Sequence, residues 1–526
     1  MTATEDPPET TRDADDLAAL GYGQQLNRSM SSFTAFALAF SMVSINTGIV
    51  TLFTDPFSRV GGAAVLLWLL VLPMVLTLVA VYAHLSGRMP ITGYAYQWSS
   101  RLVGPHFGWF TGWIALVSFL AGTAGTAAAV GTVFAPEIWQ HPTTHQIQAL
   151  SIGATLVAAV LNISGVKVAT RINNIGASIE LIGTFILVLA LAAGVLVFFK
   201  HTQGLSILTD AKPLTGKPVT LTSVALAGLL PVYVLLGWEG AADLAEETVD
   251  PRRAAPRAMF RSVVVSGIIG FVIFALLAMA MPSSPATFLT GSENPVLKLI
   301  SQQIGPFARA LMIVVAFASI FACLIANMAV ATRMTFALSR DNMLPASQGL
   351  QSVGRRSRAP IPAIVAVTVV AVVLNLLNSG LVGKIYAMVG LTYYLTYALT
   401  MIATAVAERR GTVPAAPHGV FDLGRWLNPI VGFALLWCGV VIAALTFPAE
   451  NNQNAVTVSV VLAIGFLWWA LVLRRRLNAG AAGPPGTSRT LQGASTRKNA
   501  VAETGPLASE MSTQPSEENA TPPWTH

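Results

Sequence analysis

Long apolar stretches alternate with short polar clusters along nearly the whole chain. Stretches with few or no charges lie near residues 32–53, 61–83, 108–133, 146–166, 175–199, 221–246, 262–282, 307–334, 361–380, 384–406, 428–448 and 454–473. An α-helix rises 1.5 Å per residue, so about 20 residues cross the ~30 Å hydrocarbon layer of a bilayer. A chain in lipid must satisfy its own backbone hydrogen bonds, which such stretches do as helices. The pattern therefore predicts an all-α polytopic membrane protein with twelve transmembrane helices. Glu180, Glu239, Asp243 and Arg309 are the main charged intruders. Residues 1–29 read as a polar, acidic tail with no secretory signal ahead of the first span. Residues 477–526 are rich in Gly, Ala, Pro, Ser and Thr, and are expected to form a disordered tail.

Composition sharpens this. Of 526 residues, 54% are hydrophobic and only 10% charged, and the mean hydropathy is +0.64. A soluble chain of this length carries about a quarter charged residues, so an ordinary cytosolic enzyme is excluded, as are a disordered chain and a fibrous repeat. The formal charge of +7 reads as orientation rather than nucleic-acid binding. With both termini cytoplasmic, 24 of the Lys and Arg residues fall on the inner side and 7 on the outer. That bias follows the positive-inside rule and suits an even number of spans. Cys323 and Cys438 lie in separate apolar stretches and suggest neither a disulfide framework nor a metal cage. There is no phosphate-cradling loop, no arginine-repeat voltage sensor and no ion-filter motif, so no nucleotide, metal or other cofactor is expected.

Two spans carry interruptions. Ser44-Ile45-Asn46-Thr47-Gly48 puts three polar side chains and a glycine at mid-membrane depth in span 1. In span 6, Leu236-Gly237-Trp238-Glu239-Gly240 follows Pro231. Small polar residues can simply be packing glue between membrane helices. Paired interruptions at corresponding positions of two halves point instead to a midplane binding site. A broken helix frees N–H groups that attract an anion and carbonyls that attract a cation. The expected substrate-binding residues are therefore Ser44, Asn46, Thr47, Gly48, Gly237, Trp238, Glu239 and Gly240, with the Ile49 N–H a further candidate anion donor. Glu239 stands alone in an apolar run, as amine partner, protonation site or structural hydrogen-bonding group. Asp243 follows it by one helical turn on the same face. Glu180 in span 5 is a candidate carrier of a coupling proton, and with Asp243 forms the expected coupling and gating set. Glu246 and Glu247 are expected to pair with Arg252, Arg253 or Arg257. Arg309 is expected to snorkel to the headgroups. Ser319 and Asn327 are polar groups of span 8 that could border a sodium ion or serve as packing.

Four motifs, in order, resemble the amino acid–polyamine–organocation permeases, and most closely their amino acid, choline and γ-aminobutyrate branch. They are Leu20-Gly21-Tyr22-Gly23-Gln24-Gln25-Leu26-Asn27-Arg28, then Gly87-Arg88-Met89-Pro90-Ile91-Thr92-Gly93-Tyr94-Ala95-Tyr96-Gln97-Trp98. Glu246-Glu247-Thr248-Val249-Asp250-Pro251-Arg252-Arg253 and Thr332-Arg333-Met334-Thr335-Phe336-Ala337-Leu338-Ser339-Arg340-Asp341 complete the set. The resemblance implies a five-plus-five inverted-repeat core over residues 30–407, two further helices over 408–476, and alternating access around a site between spans 1, 3, 6, 8 and 10. Family members often present a glycine-rich turn in span 1; here Asn46-Thr47 precede the single Gly48. Glu239 beside Trp238 suits a ligand with a positive amine.

The expected function is a plasma-membrane secondary transporter, not an enzyme, importing an amino acid, γ-aminobutyrate, choline or ethanolamine with a proton. A substrate-gated channel, a nutrient receptor and an obligate exchanger are the rival readings on the same scaffold.

Overall fold

A computed structural model describes residues 9–198, 203–214, 216–282, 288–289, 293–377 and 382–487. Among them the architecture is all helical, with one isolated bridge between Met30 and Thr248. The helices that matter below run in chain order. They are α1 (Glu9–Ala19), α2 (Ser32–Val43), α3 (Ile45–Leu52), α4 (Thr54–Val60), α5 (Leu67–Arg88), α6 (Tyr94–Leu102) and α7 (Pro105–Ile138). Next come α8 (Thr144–Ile163), α9 (Val166–Ala193), α10 (Leu221–Ala227), α11 (Leu229–Val234), α12 (Gly240–Asp243) and α13 (Pro251–Ala280). Then follow α14 (Pro295–Gln303), α15 (Pro306–Arg340), α16 (Ile361–Leu376), α17 (Val382–Arg409), α18 (Leu427–Thr446) and α19 (Asn452–Trp468).

Ten helical stretches are long and apolar enough to cross a membrane, and shorter apolar helices at Leu221–Val234 and Ile361–Leu376 occupy the places of spans 6 and 9. The expected fold class is thus the observed one. Span 6 differs from a plain helix for local reasons. The chain breaks after Val234, passes Gly237 in the left-handed region (φ +89) and re-forms only the single turn of α12.

Solvent quality decides which faces are apolar. α7 is almost wholly enclosed, whereas α8, α18 and α19 turn most of their surface outward. Their outward side chains are apolar, as Leu156, Val160, Leu436 and Ile464 show, which is what lipid contact asks for. Two large apolar clusters fill the interior. One holds Leu38, Tyr82, Trp98, Trp238 and Tyr397; the other holds Ile45, Phe53, Trp68, Val234 and Phe274. The breaks at Ser44 and after Val234 fall where these clusters meet.

Both ends of the described chain pack on one side, called here the terminal face. The acidic N-terminal stretch is not loose: α1 buries Leu17, and Tyr22, Leu26 and Met30 follow it inward. Of the expected C-terminal tail, residues 477–487 are also packed. The Gly483 N–H donates to the Asp341 carbonyl at 2.9 Å, and Asn342 Nδ2 to the Ala481 carbonyl at 2.8 Å. Residues 488–526 lie outside the described residues.

Candidate functional site

The first break is one residue wide. Ser44 adopts φ 42, ψ 77, a left-handed conformation, and joins α2 directly to α3. For a residue with a Cβ this costs about 1–3 kcal/mol unless the surroundings enforce it. Here they do: Ser44 Oγ hydrogen-bonds Thr47 Oγ1 within the turn and Ser319 Oγ of α15 at 2.8 Å. The N-terminus of α3 is met by a carboxyl group of the chain itself. The Asn46 N–H and Nδ2 both donate to Glu180 Oε1 at 3.4 Å, and Nδ2 also reaches Thr184 Oγ1 at 2.7 Å. Glu180 is fully buried, and its Oε2 has no partner.

The second break touches the first. A Cβ at Gly237 would lie 2.9 Å from Met42 Cβ, one at Gly240 2.4 Å from Met42 Sδ, and one at Gly48 2.3 Å from Val234 Cγ2. Glycine is needed at these positions because two interrupted helices cross in contact.

Beside the crossing lies a cavity of about 80 Å³. Ser44, Thr47 and Gly48 line it from span 1, and Gly237 from span 6. Thr51 of α3, Gly122 and Thr126 of α7, Tyr233 of α11, Cys323 and Asn327 of α15, and Tyr393 of α17 also line it. Four of the eight residues expected to bind substrate are therefore brought together. Asn46, Trp238, Glu239 and Gly240 are not on the wall, nor are Glu180 and Asp243. Asn46 turns to Glu180. The polar wall residue Asn327 was legible as an intramembrane amide; Thr126, Cys323 and Tyr393 carry no sequence signal, since the same residue types fill ordinary membrane helices.

The positive φ at Gly237 aims the next two residues away from the cavity. Trp238, expected to cover a ligand, stacks on Tyr397 (5.3 Å, 20° between planes) and meets Tyr82 edge-on at 5.1 Å. Glu239 Oε2 accepts a 2.8 Å hydrogen bond from the Tyr397 hydroxyl, while Oε1 has no partner. Both residues belong to a buried aromatic layer between the cavity and the terminal face.

Below that layer, charges close the terminal face. Asp243 Oδ1 accepts from the Gly93 N–H at 2.8 Å. Glu246 and Glu247 do not pair with the nearby arginines 252, 253 and 257. Glu247 forms a two-pronged pair with Arg333 (2.8 and 2.9 Å), and Glu246 pairs with Arg340 at 3.0 Å. The reason is direction: the 3-10 turn Ala245–Glu247 points inward at the end of α15, whereas Arg252 is engaged by Asp16 and the Gly87 and Arg88 carbonyls. Arg309 likewise does not simply snorkel; it meets Glu137 at 2.6 Å.

Asp341, just beyond α15, gathers the N-terminal segment and α6. Its carboxylate accepts from Tyr22 (2.7 Å), Tyr96 (2.7 Å) and Gln97 (2.8 Å). Burial raises its carboxyl above the usual range, against the lowering effect of Arg340 and these donors. Asp341→Ala would strand three buried donors, each costing about 1–3 kcal/mol if left unpaired. A fall of at least 5 °C in the detergent melting temperature is the expected result, read by thermal unfolding of purified protein; an unchanged melting point would mean that water replaces the carboxylate.

Comparison with known proteins then gives a consistent picture. Residues 30–471 match the family profile described as amino acid permease. The chain is 25% identical to amino-acid permease BAT1 of Arabidopsis thaliana, over 87% of this chain and 94% of that protein. It is 23% identical to an amino-acid permease of Schizosaccharomyces pombe described as uncharacterized, over 92% and 91% of the two chains. A putative polyamine transporter of Candida albicans is 22% identical over 87% of each chain.

Proposed function

The chain belongs to the amino acid permease family, and on that premise we propose that it imports an amino acid or a related amine by proton-coupled alternating access. It is a transporter, not an enzyme. The observation that carries the reading is the contact between two interrupted helices beside a polar cavity, with a buried charge network closing the terminal face. We infer that the terminal face is the cytoplasmic one: with both termini on that side, the topology read from the sequence assigns it 24 of the 31 basic residues, and we take the membrane to be the plasma membrane.

Substrate sits in the cavity against Ser44, Thr47, Gly48 and Gly237. The proton resides on Glu180. As an anion, Glu180 already occupies the positive end of α3. Once protonated it stops competing, and the helix end favours the substrate carboxylate. The two ligands then promote each other's binding, and by linkage the effect is reciprocal. Transport follows when the Glu246–Arg340 and Glu247–Arg333 pairs open toward the cytoplasm. Glu239 and its Tyr397 bond tie the span 6 break to α17, and Asp243 ties it to the loop at Gly93.

Uptake of labelled alanine, γ-aminobutyrate, choline and ethanolamine into proteoliposomes tests this. An inward proton gradient should drive accumulation without sodium. Glu180→Gln should retain counterflow exchange but lose at least ten-fold of the gradient-driven accumulation. Strict sodium dependence at constant pH, or full accumulation by the variant, would overturn the coupling assignment.

A further inference from the structure

We propose that Asn327 sets the specificity of the cavity and that the site accepts small, net-neutral zwitterions in preference to cationic amines. The inference rests on the transporter reading above. It begins with the orientation of one amide. Asn327 Nδ2 donates to the Cys323 carbonyl at 3.0 Å and contacts Cys323 Sγ at 3.3 Å. Only the nitrogen can donate to a carbonyl, so the chemistry fixes which end is which. The Oδ1 end is left facing the cavity at α7. A Cβ on Gly122 would stand 2.8 Å from that oxygen and 4.0 Å from the Tyr393 hydroxyl. Asn327, Tyr393 and Gly122 all line the cavity, so a neutral carbonyl and a phenol from two different helices face it beside a glycine and offer acceptors for an ammonium.

Charge decides the class of ligand. Among the described residues, the cavity wall carries hydroxyls, an amide, a thiol and apolar groups, with no acidic or basic side chain. Glu239 is held below the wall by Tyr397. A cation entering such a space loses its water and finds dipoles rather than a counter-charge, which is costly at low dielectric. A zwitterion brings its own counter-charge. Its carboxylate can lie toward the hydroxyls of Ser44 and Thr47 while its ammonium meets Asn327 Oδ1. Size agrees: about 80 Å³ is the share of two to three waters at ~30 Å³ each, so bulky side chains are rejected in this conformation. An asparagine bonded to the carbonyl four residues earlier is also ordinary packing within a membrane helix. The two roles predict different results, because packing does not discriminate by charge.

The test is competitive uptake of labelled alanine against ethanolamine and putrescine in proteoliposomes at neutral pH. The wild type should prefer alanine by at least ten-fold. Asn327→Asp adds the missing counter-charge and should cut that preference at least ten-fold. Equal uptake of cations by the wild type, or an unaltered ratio in the variant, overturns the inference while leaving the transporter reading intact. If the wild type carries none of the three nor any other amino acid or amine, the transporter reading fails and this one with it. Gly122→Ala guards against a misfolded Asp variant: its methyl would displace Oδ1 and should raise the alanine KM at least five-fold in a protein that melts like the wild type. An unchanged KM there counts equally against the role of Asn327.

Discussion

Arg333→Met is expected to destabilise the protein by about 3–5 kcal/mol, because it leaves a buried carboxylate without its partner. Arg333 and Glu247 are each 1% exposed, and their guanidinium and carboxylate meet along two hydrogen bonds of 2.8 and 2.9 Å. Such a fork-to-fork pair is among the stronger polar contacts, but its members lose their water to form it. Removing one member therefore hurts more than removing both. The double variant Arg333→Met with Glu247→Leu should regain most of the lost stability, so the coupling energy in a double-mutant cycle should exceed the cost of Glu247→Leu alone. Thermal or denaturant unfolding of the four proteins in detergent measures it. The double variant also separates stability from function: folded but unable to close the terminal face, it should hold a smaller substrate gradient than the wild type. If the single variant melts like the wild type, water reaches this pair and the face is not sealed.

The second large effect is expected at Glu239. Its carboxylate is fully buried, with one oxygen on the Tyr397 hydroxyl and the other unpartnered. An ionised carboxylate at this depth costs several kcal/mol unless it is paired or protonated. Glu239→Gln keeps the acceptor for Tyr397 and removes the charge, so the folded protein should survive and melt no lower than the wild type. Uptake should fall at least ten-fold. The reason lies in the connection that this residue makes between the span 6 break and α17. Gly237 lines the cavity two residues earlier, and Trp238 stacks on the same tyrosine. A side chain that must exchange partners as the bundle rocks depends on its charge state; a permanently neutral amide holds one arrangement. Normal uptake by a well-folded Glu239→Gln protein would make the residue a structural hydrogen-bonding group and nothing more.

Legibility followed the range of the interaction. The interruptions at Ser44 and Gly237 could be read in one dimension, because a glycine and small polar residues weaken a helix wherever they stand. Gly48 and Gly237 line the cavity. Trp238 and Glu239, beside them, do not, because their direction depends on the left-handed turn at Gly237 and on the aromatic layer that receives them. The acids after span 6 show the same limit. Proximity along the chain favoured Arg252, Arg253 and Arg257, but the partners came from 86 and 94 residues away. Tyr22 and Asp341, separated by 319 positions, gave no sign of each other beyond belonging to two of the four quoted motifs.

What the amino-acid order determined by itself was the solvent and the scaffold: a bilayer, helices long enough to cross it, the side rich in basic residues and the two places where a helix must fail. Lipid imposes those demands segment by segment, so each apolar run answers them alone. The tertiary structure alone decided which acid caps α3, which arginines close the terminal face, and which neutral groups surround the cavity. Those choices depend on how helices cross, a geometry set by packing among distant segments, and buried charge accepts only the partner that this packing delivers.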